Sequence, residues 1–125
     1  MKTILIVDDD KNLRRLYKDE LEAEGYRIVM ATNGRQAIDI VSWEKPDLIV
    51  MDIRMPEIDG LEAMVRILRE HGELPVILNT AYASYQDDFL AWAADGYLVK
   101  SSDLEPLKYK IREVLKPANH APQPA

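Results

Sequence analysis

The chain has 125 residues, 47% of them apolar and 30% charged, ordinary values for one soluble globular domain. Its net charge of −6 disfavours direct, non-specific nucleic-acid binding, which rests on cationic neutralisation of phosphates. With no cysteine it has no disulfide, thiol nucleophile or cysteine-ligated metal, and no apolar run approaches the roughly 20 residues that span a bilayer.

The first element, "TILIV" (3–7), is a short aliphatic run that leads straight into Asp8, Asp9 and Asp10. Acids follow the run at once and no small-residue cleavage site is visible, so it reads as a strand, not a signal peptide. A cytoplasmic location is the default expectation. Leu13, Leu16, Tyr17 and Leu21 then fall at helical spacing. Gly25 stands where a left-handed helix cap is favoured. The second strand is "RIVMAT" (27–32), and Asn33 can cap a helix through Ala37, Ile40 and Val41. "DLIVM" (47–51) is the third strand and ends at Asp52. Asp59 can cap the third helix, which carries Leu61, Met64, Val65 and Leu68, with Gly72 at a second favoured left-handed cap.

"PVILNT" (75–80) is the fourth strand. A fourth helix is expected over 84–94, although Phe89, Leu90 and Trp92 form no narrow stripe there. "GYLV" (96–99) is the fifth strand and ends at Lys100. Ser102 with Glu105 has the pattern of a capping box. Pro106 falls in the first turn, and Leu104, Leu107, Ile111 and Val114 supply the last apolar stripe. The domain is expected to span 1–116. Residues 117–125, "PANHAPQPA", have three prolines and no large apolar group, and read as a disordered tail or the start of a linker.

Five strands alternating with five helices predict an α/β fold of the (βα)5 type: a doubly wound, five-stranded parallel sheet. In such sheets ligands bind beyond the carboxyl ends of the strands. Asp8 and Asp9, Asp52, Thr80 and Lys100 follow four different strands, so they share that edge. In the flavodoxin-like order 2-1-3-4-5, one of the two common orders, strands one and three are neighbours and Asp8, Asp9 and Asp52 converge. Three carboxylates in one pocket need a cation or a proton. A hard divalent ion such as Mg²⁺, which uses one or two carboxylates, waters and phosphate oxygens, is the simplest solution. A lysine can neutralise a phosphoryl oxygen, a threonine can donate to another, and a carboxylate can be the nucleophile. The set reads as a site that takes a phosphoryl group onto Asp52.

Singly, each residue has a plainer explanation. Acids favour helix starts, Thr80 suits a strand, Tyr97 suits a half-buried position, and lysines are mostly solvated. It is their order along one sheet edge that favours chemistry. Asp10 keeps its plain role as a helix cap. His71 and His120 look like neither metal ligands nor phosphoryl carriers. Trp43 and Trp92 are expected to pack.

The ordered motifs "VDDD" (7–10), "PDLIVMDIRMPEIDG" (46–60), "TAY" (80–82) and "YLVK" (97–100) resemble the receiver domain of two-component response regulators, over residues 2 to about 116. The resemblance implies that Asp52 is the phosphoacceptor and Asp9 a direct metal ligand. It implies that Asp8 acts on the metal through water and that the Arg54 backbone carbonyl is a further ligand, for Mg²⁺ or Mn²⁺. Thr80 matches the switch hydroxyl, Tyr97 the switch aromatic and Lys100 the phosphoryl-binding lysine. Met55, Pro56 and Gly60 match the turn that shapes the loop. The family usually has a proline after the lysine, where this chain has Ser101. Ala93 stands where glycine is common, and Asn79 where an apolar residue is.

The implied function is a phosphorylation-dependent switch, not a turnover enzyme. Its partners would be a sensor histidine kinase or phosphotransfer protein upstream and an effector protein downstream, with no nucleic acid or membrane bound by this chain. The expected output face combines helix four, strand five and helix five. Two alternatives remain: a phosphorylation-independent pseudo-receiver module, and a small phosphatase with Asp52 as transient nucleophile. Such phosphatases commonly place a second acid where this chain has Arg54.

Overall fold

Successive strand residues point to opposite faces, so an unbroken aliphatic strand can bury both. In the computed structural model, which describes residues 1–116, β1 (Thr3–Val7) is buried along its length. Ile4 and Ile6 enter one apolar cluster while Leu5 and Val7 enter the other. β3 (Leu48–Met51) and β4 (Val76–Thr80) divide their side chains between the same two clusters. β2 (Arg27–Ala31) and β5 (Gly96–Val99) are less covered, because they form the sheet edges. All neighbours pair in parallel, in the order β2-β1-β3-β4-β5. This is the flavodoxin-like order expected from the sequence.

The helices present apolar stripes to these two faces. α1 (Lys11–Ala23) and α4 (Glu105–Val114) cover one with Tyr17, Leu21, Leu107 and Ile111. α2 (Gly34–Glu44) and α3 (Gly60–Glu70) cover the other with Ala37, Val41, Met64 and Ile67. The caps expected at Asp10, Asn33 and Asp59 are present: each side chain accepts backbone N–H groups from the first turn, at 2.8–3.2 Å. Gly25 leaves α1 with φ +99°, the left-handed geometry expected of it.

The fourth connection corrects the five-helix expectation. It holds two 3₁₀ turns, Ala83–Asp87 and Phe89–Ala93, so among the described residues four α-helices flank the sheet. Without one apolar stripe a longer helix has no face to bury, and Asp88 interrupts it by accepting the Leu90 N–H at 2.9 Å. The expected capping box also differs: Asp103 and not Ser102 accepts the Glu105 N–H, at 3.0 Å, because its short carboxylate closes a local turn. Gly72 takes no left-handed cap. α3 closes instead through the His71 N–H on the Ile67 carbonyl, and Lys45 takes the left-handed position, after α2. Trp43 and Trp92, expected to pack, are 75% and 76% exposed. Each lies on the outward side of its element, past the reach of the core. The tail expectation, 117–125, lies outside the described residues. Among those residues no helix is long and apolar enough to cross a membrane.

Candidate functional site

Register brings the acids together. Val7 pairs with Met51 at the ends of β1 and β3, so Asp8 and Asp52 leave adjacent strands side by side. The Asp52 N–H continues the ladder onto the Val7 carbonyl at 2.9 Å. Carboxylate oxygens of Asp8, Asp9 and Asp52 lie within 4.8 Å of one another. Asp8 and Asp52 are buried, whereas Asp9 is exposed at the mouth. It lines a cleft of about 370 Å³ together with Arg54, Met55, Pro56, Asp59 and Tyr85.

Each buried carboxylate is held twice. Asp8 Oδ1 accepts the Asp10 N–H at 2.9 Å, and its Oδ2 lies 2.7 Å from Lys100 Nζ. Asp52 Oδ1 accepts the Ile53 N–H at 2.8 Å, and its Oδ2 accepts from Lys100 Nζ at 3.1 Å. Lys100 reaches this point because its N–H bonds to the Thr80 carbonyl at 2.7 Å, extending the β4–β5 ladder by one residue. Burial disfavours the Lys100 ammonium, but the bond to Asp8 and the charges of Asp8 and Asp52 outweigh it and raise its pKa. Burial raises Asp52 above the ordinary carboxylate range despite the lysine. One cation shared by two buried acids leaves negative charge uncompensated. This donor set of hard oxygens fits Mg²⁺.

The loop after Asp52 folds back tightly on it. The Gly60 N–H bonds to the Ile53 carbonyl at 2.7 Å, and a Cβ on Gly60 would collide with the Asp52 carbonyl. Arg54 sends its guanidinium over the Tyr82 ring, 4.8 Å from its centre. Thr80 is fully buried at the end of β4. Its Oγ1 accepts the Tyr82 N–H at 3.4 Å, which leaves the hydroxyl hydrogen free to donate. The half-buried Tyr97 hydroxyl donates to the Tyr82 carbonyl at 2.5 Å. The structure thus brings Asp8, Asp9, Asp52 and Lys100 into one group, with Thr80 and Tyr97 joined to it through the loop after β4. The Lys100–Ser101 bond is trans, as are all peptide bonds among the described residues.

Sequence reasoning missed two features. Tyr82, which the sequence shows only as the end of the "TAY" motif, links Thr80, Tyr97 and Arg54; backbone atoms make two of its contacts and leave no signal in a side-chain pattern. Asn79, noted only as unusual, is buried and donates from Nδ2 to the Tyr17 hydroxyl at 3.0 Å. A polar residue amid an apolar strand was the available signal.

An open parallel sheet that gathers three acids and a lysine beyond its carboxyl ends defines a class of phosphate- and metal-handling α/β domain. The response regulator receiver domain family matches residues 4–112. The chain belongs to this family of two-component signalling domains. It is 37% identical to the regulatory protein AtoC of Escherichia coli over 115 residues, 90% of this chain and 25% of that protein. It is 36% identical to the response regulator MprA of Mycolicibacterium vanbaalenii, over 90% of this chain and 50% of the relative. The chain therefore spans about a quarter to half the length of these relatives. Among solved structures, the response regulator TrrA of Thermotoga maritima in complex with Mg²⁺-BeF superposes with a TM-score of 0.90 at 44% identity, covering 92% of this chain and all of TrrA. TrrA in complex with the histidine kinase ThkA gives 0.87 at the same identity, covering 93% of this chain and all of TrrA. Receiver domains are signalling modules, not classical enzymes. TrrA is seen with Mg²⁺-BeF, and the cluster of Asp8, Asp9 and Asp52 here could hold a metal ion, consistent with Mg²⁺.

Proposed function

We propose that the domain is a phosphorylation switch whose acceptor is Asp52. The observation that carries this reading is the grouping of Asp8, Asp9 and Asp52 within 4.8 Å, with Lys100 bonded to two of them. Asp9, Asp52 and the Arg54 carbonyl would hold Mg²⁺ directly and Asp8 through water. Bound there, the ion would offset charge on the acids and on the transferring group.

The chain's own residues do the rest. A carboxylate oxygen of Asp52 forms the new bond to phosphorus as the bond to the donor's imidazole nitrogen breaks, and the imidazole leaves with the bonding pair. Lys100 Nζ, already shared between Asp8 and Asp52, turns to a phosphoryl oxygen. The Thr80 hydroxyl donates to another. Positioning and electrostatics supply most of the acceleration in such transfers. The same groups serve the later hydrolysis, so turnover is of the domain's own phosphate only.

Moving a two-state equilibrium from mostly off to mostly on takes about 5.5 kcal/mol of differential free energy. Charge-assisted hydrogen bonds of about 1.5–3 kcal/mol each make two or three contacts sufficient. Thr80 and Tyr97 are the residues through which the change passes to the face formed by the 3₁₀ turns, β5 and α4. The upstream partner is a histidine kinase or phosphotransfer protein, by analogy with the TrrA–ThkA complex. The downstream partner is an effector protein.

The test is intact mass after incubation with a small acyl-phosphate donor and Mg²⁺. One phosphoryl group is expected on the wild type and none on Asp52→Asn or on chelated protein. A wild type that gains no phosphoryl from this donor or from a purified histidine kinase would turn the reading to a phosphorylation-independent binding module.

A further inference from the structure

The buried bond between Tyr17 and Asn79 is polar chemistry inside an apolar face. Tyr17 is 2% exposed and Asn79 5%, and Tyr17 stands among Ile77, Leu21, Leu107 and Ile111. A buried amide and hydroxyl in such a place add little net stability, since apolar groups of the same shape do nearly as well. Their position, however, is particular. Asn79 directly precedes Thr80 and pairs in register with Leu98, two residues before Lys100. Tyr17 projects from α1, whose cap, Asp10, also fixes Asp8. The pair lines a cavity of about 20 Å³ whose walls include Val99 and Ser101, the two neighbours of Lys100. The Tyr17 hydroxyl lies close enough to feel the charges of Lys100, Asp8 and Asp52. Burial raises its pKa, so it stays neutral and keeps its proton.

We infer that Tyr17 and Asn79 are positioning residues: their hydrogen bond fixes the strand ends that carry Thr80 and Lys100 against the helix that follows the acids, and so sets how fast Asp52 gains and loses its phosphoryl group. This rests on the phosphorylation reading above. The bond links β4 to α1, which also share an apolar cluster through Ile77 and Leu21; apolar contacts resist sliding poorly because they have no direction. A hydrogen bond has both direction and length. Without it, Lys100 Nζ can be displaced by a fraction of an ångström relative to Asp52. A displacement of 1 Å can cost about 100-fold in rate, so a smaller one is expected to cost about threefold or more.

The experiment compares wild type, Tyr17→Phe, Asn79→Leu and the double variant. It reads phosphorylation by the small donor and hydrolysis after its removal, both by intact mass, together with thermal stability. Each single variant leaves a partner unsatisfied and is expected to melt lower. The double variant, with both partners apolar, is expected to recover stability. The expected kinetic result is different: both rates fall about threefold or more in each single variant and stay low in the double variant. Kinetics that recover along with stability, or that never change, overturn the inference and leave the pair a packing feature. A wild type that takes up no phosphoryl group defeats the phosphorylation reading itself and is recognised before any variant is compared.

Discussion

Lys100 is the one cation within bonding distance of both Asp8 and Asp52 among the described residues. Its side chain is 16% exposed and that of Asp8 2%. Removing one partner from a buried pair strands the other charge, at a cost of about 3–5 kcal/mol. Lys100→Met is therefore expected to destabilise the protein by about 3 kcal/mol in metal-free buffer, measured by urea unfolding. A loss below about 1 kcal/mol would mean that water already screens the acids as it does at a surface. Asp52→Asn acts in the opposite sense. Burial disfavours the ionised Asp52 carboxylate, and Asp8 keeps its shorter bond to Lys100. The amide variant is expected to melt above the wild type in the same buffer. An unchanged or lower melting temperature would show that the Lys100 bond outweighs the burial cost. Asp8, Asp9, Asp52, Thr80 and Lys100 were legible as a set in the sequence, because each ends or follows a strand and strand ends share an edge; Tyr97, inside β5, was singled out only by the family resemblance. Tyr82 and the Tyr17–Asn79 bond were not, because both depend on distances across the fold.

Helix ends separate the local rules that held from those that did not. Asp10, Asn33 and Asp59 cap as expected, since a side chain needs only the next turn of its own backbone for that bond. α2 instead ends on Lys45, a non-glycine residue at φ +47°. Relief of about 1 kcal/mol is available there to a residue without a Cβ, offset in part by the extra chain entropy glycine loses on folding. Lys45→Gly is expected to stabilise the protein by about 0.5 kcal/mol, read from chemical denaturation. A destabilised variant would show that the exposed Lys45 side chain matters more than its backbone. Gly60 is the contrasting case. It begins α3, and any Cβ there meets the Asp52 backbone, which cannot yield without moving Asp52 itself. Gly60→Ala is expected to cost about 3 kcal/mol and to slow phosphorylation at temperatures where the variant is still folded. Normal rates in folded Gly60→Ala would mean that the loop gives way without disturbing Asp52.

At the scale of the molecule, the least regular segment bears the most exposed aromatic surface. Phe89 and Trp92 on the second 3₁₀ turn are 73% and 76% exposed, with Tyr109 on α4 and Val99 on β5 also outward. Short 3₁₀ turns have few internal hydrogen bonds to lose, so this segment can rearrange at small cost. In a Trp43→Phe background, Trp92 emission is expected to change when the acyl-phosphate donor and Mg²⁺ are added, and to stay constant in Asp52→Asn. A constant signal in phosphorylated protein would place the output face elsewhere. The sequence by itself determined the parallel α/β class, narrowed the sheet order to one of the two common ones, and placed the acids, threonine and lysine on one edge of the sheet. These follow from apolar periodicity and from the polar residues that interrupt it, both written in linear order. Only the tertiary structure decided that the fourth connection is two 3₁₀ turns, that both tryptophans face outward, that Lys100 bonds Asp8 more closely than Asp52, and that Tyr17 reaches Asn79. Each of those depends on how much neighbouring surface is left to bury or how near two strand ends come, and such quantities exist only once the sheet is assembled.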